Sequence, residues 1–274
     1  MAAAVPSTFC WDTLSPRFRV ILCDLWGVVH DGVRVNRGAA ARLERWRGEG
    51  RSVLLITNAP RTADAVERQL ACIGLPRQCW DVVVTGGETG IEALRALKRP
   101  VGFLGTDEDR SILESRGIQI SHAEDVPDIA CAGLQAQRPR LEQYARQLQR
   151  WAARDARLHC LNPDRMVMRD GAPELCAGAL ADLYEEFGGR VEWYGKPHRA
   201  IYERALRLAG QPRVDAVLAV GDSLSTDMLG AARMGFDAVF VSGGIHAGEP
   251  FPEDFSRSNH LGDWRPIAIV EGLA

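Results

Sequence analysis

Residues 19–32 of the chain read RVILCDLWGVVHDG, and this stretch decides the fold. Its first part is a short apolar run from Arg19 to Cys23 that stops at the acidic residue Asp24. An apolar run without polar alternation is typical of a strand buried on both faces of a parallel sheet. The stretch therefore predicts a buried strand that places a carboxylate at its carboxyl end.

Similar strands recur on both sides of the middle of the chain. They are predicted at 51–56 and 81–85 on the amino-terminal side, and at 191–194, 215–220 and 238–242 on the carboxyl-terminal side. Amphipathic segments between them predict helices. This alternation predicts an α/β fold with a Rossmann-like parallel sheet, in which ligands bind at the carboxyl ends of the strands.

The middle of the chain has strands and helices of its own, including the apolar runs VGFLG, DIACAGL and ARLHCLN. These are enough for a second α/β domain inserted into the first. We therefore predict a core domain formed by residues 1–99 and 191–274, and an inserted domain formed by residues 100–190. The stretch 243–263, with paired glycines and two prolines, is predicted to be a loop.

Composition limits the classes of function. The 274 residues are 46% hydrophobic and carry a formal net charge of -3, so the chain can bury a large core and has no basic excess. This argues against nucleic acid or an anionic membrane as a partner. The chain has no apolar run near the ~20 residues that cross a bilayer, no evident secretory signal and no Cys-x-x-Cys pair among its seven cysteines. We expect a cytosolic (cytoplasmic) protein with reduced core thiols.

Polar residues stand at the predicted ends of four strands of the core domain: Asp24, Thr57 with Asn58, Lys196, and Asp222 with Asp227. Their motifs, DLWGVVHDG, LLITNAP, YGKPH and VGDSLSTDMLGA, resemble those of the haloacid dehalogenase (HAD) superfamily of phosphohydrolases. The match is greatest to the capped type IIA subfamily, which contains the N-acetylglucosamine-6-phosphate, 4-nitrophenylphosphate and pyridoxal-phosphate phosphatases. The resemblance spans nearly the whole chain and implies a HAD fold whose insertion is a cap domain.

The resemblance implies a role in phosphoryl transfer for each carboxylate. Asp24 would attack phosphorus and form an aspartyl-phosphate, which divides hydrolysis into two easier displacements. Mg²⁺ would be held by Asp24, the backbone carbonyl of Trp26 and Asp222, while Asp227 would orient its water ligands. The implied cofactor is therefore Mg²⁺.

The remaining motif residues would act on the phosphoryl group. Thr57 and Asn58 would hold a phosphoryl oxygen, and Lys196 would offset the repulsion between Asp24 and phosphate. Each residue also has a local interpretation, as a turn residue, a helix cap or a solvated cation. The four motifs together favour a phosphoric monoester hydrolase that acts on a small phosphorylated metabolite, such as a sugar phosphate or a nucleotide.

One position departs from the superfamily pattern. Superfamily phosphatases usually carry a second Asp two residues after the nucleophile, as general acid and base, whereas this chain has Trp26. A branch of uncharacterised relatives is similar in having Trp there. Three explanations stay open: another proton donor, with His30 and Asp31 nearest in sequence; a substrate with a good leaving group; or a protein that binds phosphorylated metabolites with weak or no turnover. A metal-free dehalogenase is disfavoured, because it has no evident use for the acidic pair Asp222 and Asp227.

The predicted insertion offers candidates for substrate contacts. The tripeptide 162–164, Asn-Pro-Asp, resembles a cap motif of the subfamily, so that Asn162 and Asp164 would face the substrate, although an Asx-type turn explains it equally well. The glycine-rich GGETG at 86–90 lacks the spacing of a nucleotide-binding loop and is interpreted as a tight turn at the mouth of the site. Scattered histidines argue against zinc. The resemblance also admits a homodimer formed through the cap.

Overall fold

The computed structural model describes residues 9–169, 172–244 and 251–274. These residues fall into two compact units. The first unit comprises the described residues of 1–57, 63–84 and 196–274, and the second those of 58–62 and 85–195. No helix in the described ranges is long and apolar enough to span a membrane.

The strands of the described residues are numbered in chain order: β1 (Val20–Asp24), β2 (Ser52–Thr57), β3 (Val82–Thr85), β4 (Gly102–Leu104), β5 (Asp128–Cys131), β6 (Arg157–Cys160), β7 (Met166–Arg169), β8 (Ala172–Leu175), β9 (Arg190–Trp193), β10 (Val217–Gly221), β11 (Asp237–Val241) and β12 (Ala268–Val270).

The α-helices are numbered in the same way: α1 (Ala39–Gly48), α2 (Ala63–Cys72), α3 (Gly86–Leu97), α4 (Asp107–Ser115), α5 (Ala145–Ala153), α6 (Ala177–Glu186), α7 (Arg199–Leu208), α8 (Leu229–Met234) and α9 (Phe255–Ser258). A π-helical turn at Leu224–Met228 leads directly into α8.

The first unit is built on a six-stranded sheet with the order β12-β11-β10-β1-β2-β3. The strands from β12 to β2 pair in parallel. Strand β1 lies at the centre and is buried along its whole length, as expected for an apolar strand covered on both faces. The chain leaves β1 towards β2 and returns through β10 on the other side. The strand order therefore reverses between β1 and β10, which is where open α/β sheets bind their ligands.

The second unit contains a four-stranded parallel sheet with the order β4-β5-β6-β9, and a separate antiparallel hairpin formed by β7 and β8. Its core includes Tyr144 and Leu148 of the α5 region, Tyr184 of α6, and Leu158 of β6. The Tyr184 hydroxyl donates to the carbonyl oxygen of Ala156 at 2.7 Å, which ties α6 to the start of β6. The predicted fold class, an α/β parallel-sheet core with an inserted α/β unit, is confirmed.

One predicted strand belongs to a different sheet. The strand predicted at 191–194 was assigned to the core sheet, and this assignment is wrong, because β9 pairs with β6 in the second unit, with Val191 opposite Leu158. An apolar pattern records how a strand is buried but does not specify its partner. The units divide at 84/85 and 195/196, whereas the sequence placed the divisions at 99/100 and 190/191.

The GGETG stretch is helical, so the prediction of a tight turn is wrong. It forms the start of α3, where the Thr85 hydroxyl accepts a hydrogen bond from the Glu88 amide at 2.9 Å. A Cβ atom on Gly87 would overlap the Pro60 carbonyl, so glycine is needed for this close approach. Strands β7, β8 and β12 and helix α9 were not predicted from the sequence.

Candidate active site

Three carboxylates meet at the carboxyl edge of the first unit's sheet. Asp24 ends β1, and Asp222 directly follows β10, whose residue Val220 lies opposite Cys23. Asp227 lies in the π-helical turn that follows. All three side chains are buried, and one oxygen of each lies within 4.8 Å of the others. Adjacent parallel strands therefore bring together acids that are about two hundred residues apart in the sequence.

Lys196 holds two of these carboxylates. Its Nζ donates to Asp24 Oδ1 at 2.5 Å and to Asp227 Oδ1 at 2.7 Å, and the residue is only 3% exposed. Burial alone would lower the pKa of the ammonium, but the charges of Asp227 and Asp24 outweigh it and raise this pKa above its ordinary value. Lys196 is therefore a permanent positive charge beside Asp24.

Burial changes the acidity of the carboxylates. Loss of hydration raises the pKa of Asp24 to about 6, with the Asp222 charge adding to the effect and Lys196 opposing it. Loss of hydration and the charge of Asp24 raise the pKa of Asp227 to about 7, again against Lys196. The protein alone therefore pays a desolvation cost for keeping these groups ionised together.

Glycines surround two of the acids. A Cβ atom on Gly27 or on Gly244 would overlap the Asp222 carboxylate, and one on Gly221 would overlap Asp227. Gly27 also has a φ of +83°, a region that residues with a Cβ rarely adopt. The chain thus keeps backbone close to the carboxylate oxygens on more than one side.

The donor set fits a hard divalent cation. Three buried carboxylates lie within reach of one cation here, and the Lys196 ammonium bonds to two of them. Carboxylate oxygens are the ligands that Mg²⁺ prefers. Asp24 and Asp222 would serve as ligands together with the Trp26 carbonyl, whereas Asp227 is already held by Lys196 and by the Ser223 amide at 3.3 Å.

The candidates Thr57 and Asn58 follow the neighbouring strand. Thr57 is the last residue of β2 and lies one position beyond Ile56, the residue opposite Asp24. Asn58 is buried and belongs to the second unit. Its Nδ2 donates to Asp164 Oδ1 at 2.8 Å.

Hydrogen bonds connect the predicted cap residues Asn162 and Asp164 to Asn58. The Asp164 amide donates to Asn162 Oδ1 at 3.0 Å, so Asn162 forms the Asx-type turn that leaves β6. Through its own carboxylate, Asp164 then fixes the Asn58 amide. Asn58, Asn162 and Asp164 therefore form one hydrogen-bonded group within the second unit.

Trp26 stands at the position of the missing second Asp, with His30 and Asp31 close by in sequence. The three side chains differ in exposure and in their contacts. Trp26 is 52% exposed, and its ring lies against Gly32 and contacts the His30 ring edge-on, with 5.8 Å between centroids. His30 is buried, its Nδ1 accepts from the Gly32 amide at 2.9 Å, and burial lowers its pKa despite the charge of Asp31. Asp31 is exposed and accepts from the amides of the turn that follows it, which lowers its pKa.

Two residues of the centre were missed by sequence reasoning. Gly244 lies in the stretch predicted to be an uninformative loop, although the glycine pair after β11 is a signal of close backbone approach. Tyr202 of α7 is buried, and its hydroxyl donates to the Thr226 carbonyl at 3.3 Å, in the turn that carries Asp227. Only its place in an amphipathic helix could be predicted from the sequence.

Two family models match the two segments of the chain that carry the strand-end motifs. The model described as haloacid dehalogenase-like hydrolase matches residues 21–119, and the model described as HAD-hydrolase-like matches residues 193–264. Together they contain the motifs of Asp24, Thr57, Lys196 and Asp222.

Individual proteins match over most of the chain. The ribonucleotide monophosphatase NagD of Escherichia coli K12 is 28% identical over 228 residues, which are 82% of this chain and 88% of the relative. The 4-nitrophenylphosphatase of Thermotoga maritima, 22% identical over 94% of this chain and 95% of its own, has a TM-score of 0.71 and shares the fold. A hydrolase of the haloacid dehalogenase-like family from Brucella suis 1330 is 34% identical, with a TM-score of 0.80 over 96% of this chain and 98% of its own. The resemblance identified from the motifs is confirmed, and the chain belongs to the haloacid dehalogenase-like hydrolase family.

Proposed function

We propose that the protein is a Mg²⁺-dependent phosphatase that hydrolyses a small phosphorylated metabolite through an aspartyl-phosphate on Asp24. The observation that carries this proposal is the buried cluster of Asp24, Asp222 and Asp227 with Lys196 bonded to two of its members. The names of the relatives support it, since they include a ribonucleotide monophosphatase and a 4-nitrophenylphosphatase.

Each residue has a part in the proposed reaction. Asp24 supplies the carboxylate oxygen that forms the bond to phosphorus. Lys196 keeps that carboxylate ionised and reduces its repulsion from the incoming phosphate. Thr57 and the backbone at Asn58 donate to phosphoryl oxygens, and Asp164 positions the Asn58 side chain. Asp24, Asp222 and the Trp26 carbonyl would hold Mg²⁺, which would supply charge neutralisation at the phosphoryl oxygens.

Trp26 favours a second candidate function. An indole cannot exchange a proton with a leaving group, so the centre could bind phosphorylated metabolites with little or no turnover. Loss of a general acid commonly costs about 10²–10⁴-fold in rate, which slows an enzyme without abolishing its reaction. We therefore place hydrolysis first.

The test is release of phosphate from a panel that contains 4-nitrophenyl phosphate, ribonucleoside monophosphates and sugar phosphates. We expect release that requires Mg²⁺, stops in EDTA and falls by at least ~10³-fold in Asp24→Asn, because an amide is a far weaker nucleophile than a carboxylate. Phosphate incorporated into the protein and labile to hydroxylamine should appear with the same dependence.

The matched control is Asp155→Asn, which changes an exposed carboxylate paired with Arg190 and should leave the rate unchanged. Mg²⁺-dependent binding of the panel without turnover would replace the proposed activity by the binding function. Release of halide from a haloacid in EDTA would instead identify a dehalogenase. The expected cytosolic location and the homodimer through the cap stay predictions.

A further inference from the structure

The residue two positions after the nucleophile carries no exchangeable acid. Trp26 leaves β1 on the loop that also carries Gly27, and its indole N–H is a donor only. The ring is held in place, because Gly32, with a φ of +95°, leaves room for it where any Cβ would overlap, and because the His30 ring packs edge-on against it. The side chain is therefore a fixed apolar surface on the loop that directly follows the proposed nucleophile.

The nearest polar groups are engaged in the local structure. Asp31 Oδ1 accepts from the amides of Val33 and Arg34 at 2.9 and 2.7 Å, and this closes a turn. His30 uses Nδ1 as an acceptor within the same loop. These contacts keep both side chains in the loop that supports the Trp26 ring.

The other two acids of the cluster also have assigned partners. Asp227 accepts from Lys196 and Ser223, and Asp222 lies in the glycine cradle formed by Gly27 and Gly244. Both side chains are buried beside Asp24 at the cation position of the proposed mechanism. In the proposed mechanism both carboxylates serve the cation, and neither is assigned to the leaving group.

We infer that this enzyme is specific for phosphate carried on a weakly basic leaving group, such as an aryl, enol or acyl oxygen or a phosphoanhydride. The inference rests on the proposed aspartyl-phosphate route and names its substrate class. A leaving group that is stable as an anion departs without a proton, whereas an alkoxide needs one. Trp26 is thus a specificity-determining residue.

The two steps balance without a protein acid. In the first, an Asp24 carboxylate oxygen bonds to phosphorus, the bond from phosphorus to the leaving oxygen breaks, and that oxygen keeps the electron pair. In the second, a water oxygen bonds to phosphorus, the bond to Asp24 breaks with its electron pair returning to the carboxylate, and the water proton passes to solvent.

The second step is the same for every substrate, and it too proceeds without an aspartate base at position 26. With a good leaving group the first step is fast, so the aspartyl-phosphate accumulates and its hydrolysis limits turnover. The value of kcat should then be nearly equal for all good leaving groups. Discrimination among leaving groups should appear in kcat/KM, which reports the first step.

The experiment uses the full chain with Mg²⁺ and a series from 4-nitrophenyl phosphate through phenyl phosphate to an alkyl phosphate. We expect a burst of 4-nitrophenolate close to one equivalent per enzyme, and a fall in kcat/KM of at least ~10²-fold from the first to the last substrate beyond that of a general-acid enzyme. NagD of Escherichia coli, assayed with the same series, is the reference.

Two variants separate the role of Trp26 from a packing effect. Trp26→Asp should raise kcat/KM for the alkyl phosphate by ~10-fold or more, change that for 4-nitrophenyl phosphate by less than ~3-fold, and abolish the burst. Trp26→Phe keeps an aromatic ring without an acid and should keep both the burst and the steep dependence. Since the wild-type series is informative by itself, the test survives a failure of Trp26→Asp to fold.

A shallow dependence on the leaving group with no burst in the wild type would overturn the inference. If that dependence becomes steep in His30→Asn, His30 is the proton donor and the inference is likewise wrong. Failure of the proposed function gives a different result, because then Asp24→Asn would match the wild type on every substrate. Equal rates of Trp26→Asp and Trp26→Phe on the alkyl phosphate would also remove Trp26 as the cause.

Discussion

Each unit of the molecule buries a polar network, and the two networks differ in the groups that compose them. In the first unit, three carboxylates, those of Asp24, Asp222 and Asp227, lie within 4.8 Å of one another, and the Lys196 ammonium bonds to Asp24 and Asp227. In the second unit, the network of Arg99, Asp128, His159 and Tyr194 is balanced in charge.

The second network can be satisfied by one neutral tautomer of His159. The Tyr194 hydroxyl lies 2.7 Å from Nδ1 and donates to it, while Nε2 lies 2.9 Å from Asp128 Oδ1 and donates its proton there. Arg99 Nε donates to the other Asp128 oxygen at 2.7 Å. Every charge therefore has its partner inside the protein, as buried polar groups require.

This difference distinguishes the network of the second unit, which stabilises the fold, from the cluster of the first unit, which is a candidate ligand site. The balanced network joins β5, β6 and the residue after β9, which are neighbours in one sheet, and needs nothing further. The carboxylate cluster lies at the carboxyl ends of β1 and β10, where the strand order reverses and open α/β sheets bind their ligands. Three carboxylates gathered at the ligand-binding edge of a sheet, rather than burial of polar groups as such, distinguish the candidate active site.

Removing one cation from each network should give the largest contrast. Lys196→Met leaves two buried carboxylates without their partner and should lower the free energy of unfolding by about 3–5 kcal/mol at alkaline pH in EDTA. Arg99→Gln is the matched control, since this half-exposed side chain leaves Asp128 bonded to His159 and should cost about 1 kcal/mol or less. Denaturation by urea measures both, and equal losses would contradict the comparison.

Addition of Mg²⁺ should stabilise one network and not the other. A cation at 100 times its dissociation constant raises the free energy of unfolding by about 2.7 kcal/mol. We expect a rise of this order in the wild type and in Asp128→Asn, and its loss in Asp222→Asn. The readout is the melting temperature without substrate, and a full shift in Asp222→Asn would remove that residue from the proposed ligands.

Lowering the pH should destabilise the second network, by less than the effects expected for Lys196→Met and for Mg²⁺. Burial lowers the pKa of His159 below its ordinary value despite the charge of Asp128, so below about pH 6.5 the unfolded chain binds the proton more readily than the folded one. The stabilisation is complete above that pH and decreases as pH falls, by at most about 1.4 kcal/mol per pH unit.

This effect is measured as the difference in unfolding free energy between wild type and His159→Gln. Asp24 and Asp227, whose raised pKa values have the opposite effect, are present in both proteins and cancel in the difference. We expect the difference to decrease by about 1 kcal/mol between neutral pH and about pH 5.5. A difference that does not vary with pH would show that His159 is not held neutral.

The predictability of the molecule from its sequence varies between elements for physical reasons. Strands such as β1 and β10 are unbroken apolar runs ending at an acid or glycine, and their limits were predicted within two residues. The strand β9 was assigned to the wrong sheet, since its alternating edge pattern suits either sheet. GGETG was misinterpreted because glycines that favour a turn also permit a helix start packed on a neighbouring carbonyl.

The residues of the candidate site likewise divide into those that the sequence identified and those that it missed. Asp24, Lys196, Asp222 and Asp227 were identified from motifs, because residue type and position at a strand end carry the chemistry. Gly244 was missed, since the need for glycine there arises from the Asp222 carboxylate, which is close only in the folded chain.

The sequence by itself determined the alternation of strands and helices, the family and the candidate reactive groups, because these depend on local pattern and residue type. Only the tertiary structure decided that Lys196 contacts both Asp24 and Asp227, that Asp164 holds Asn58, and that Trp26 is fixed over Gly32. Such contacts depend on which strands are neighbours and on how closely backbone can approach a side chain. Neither quantity is encoded within a single stretch of the sequence.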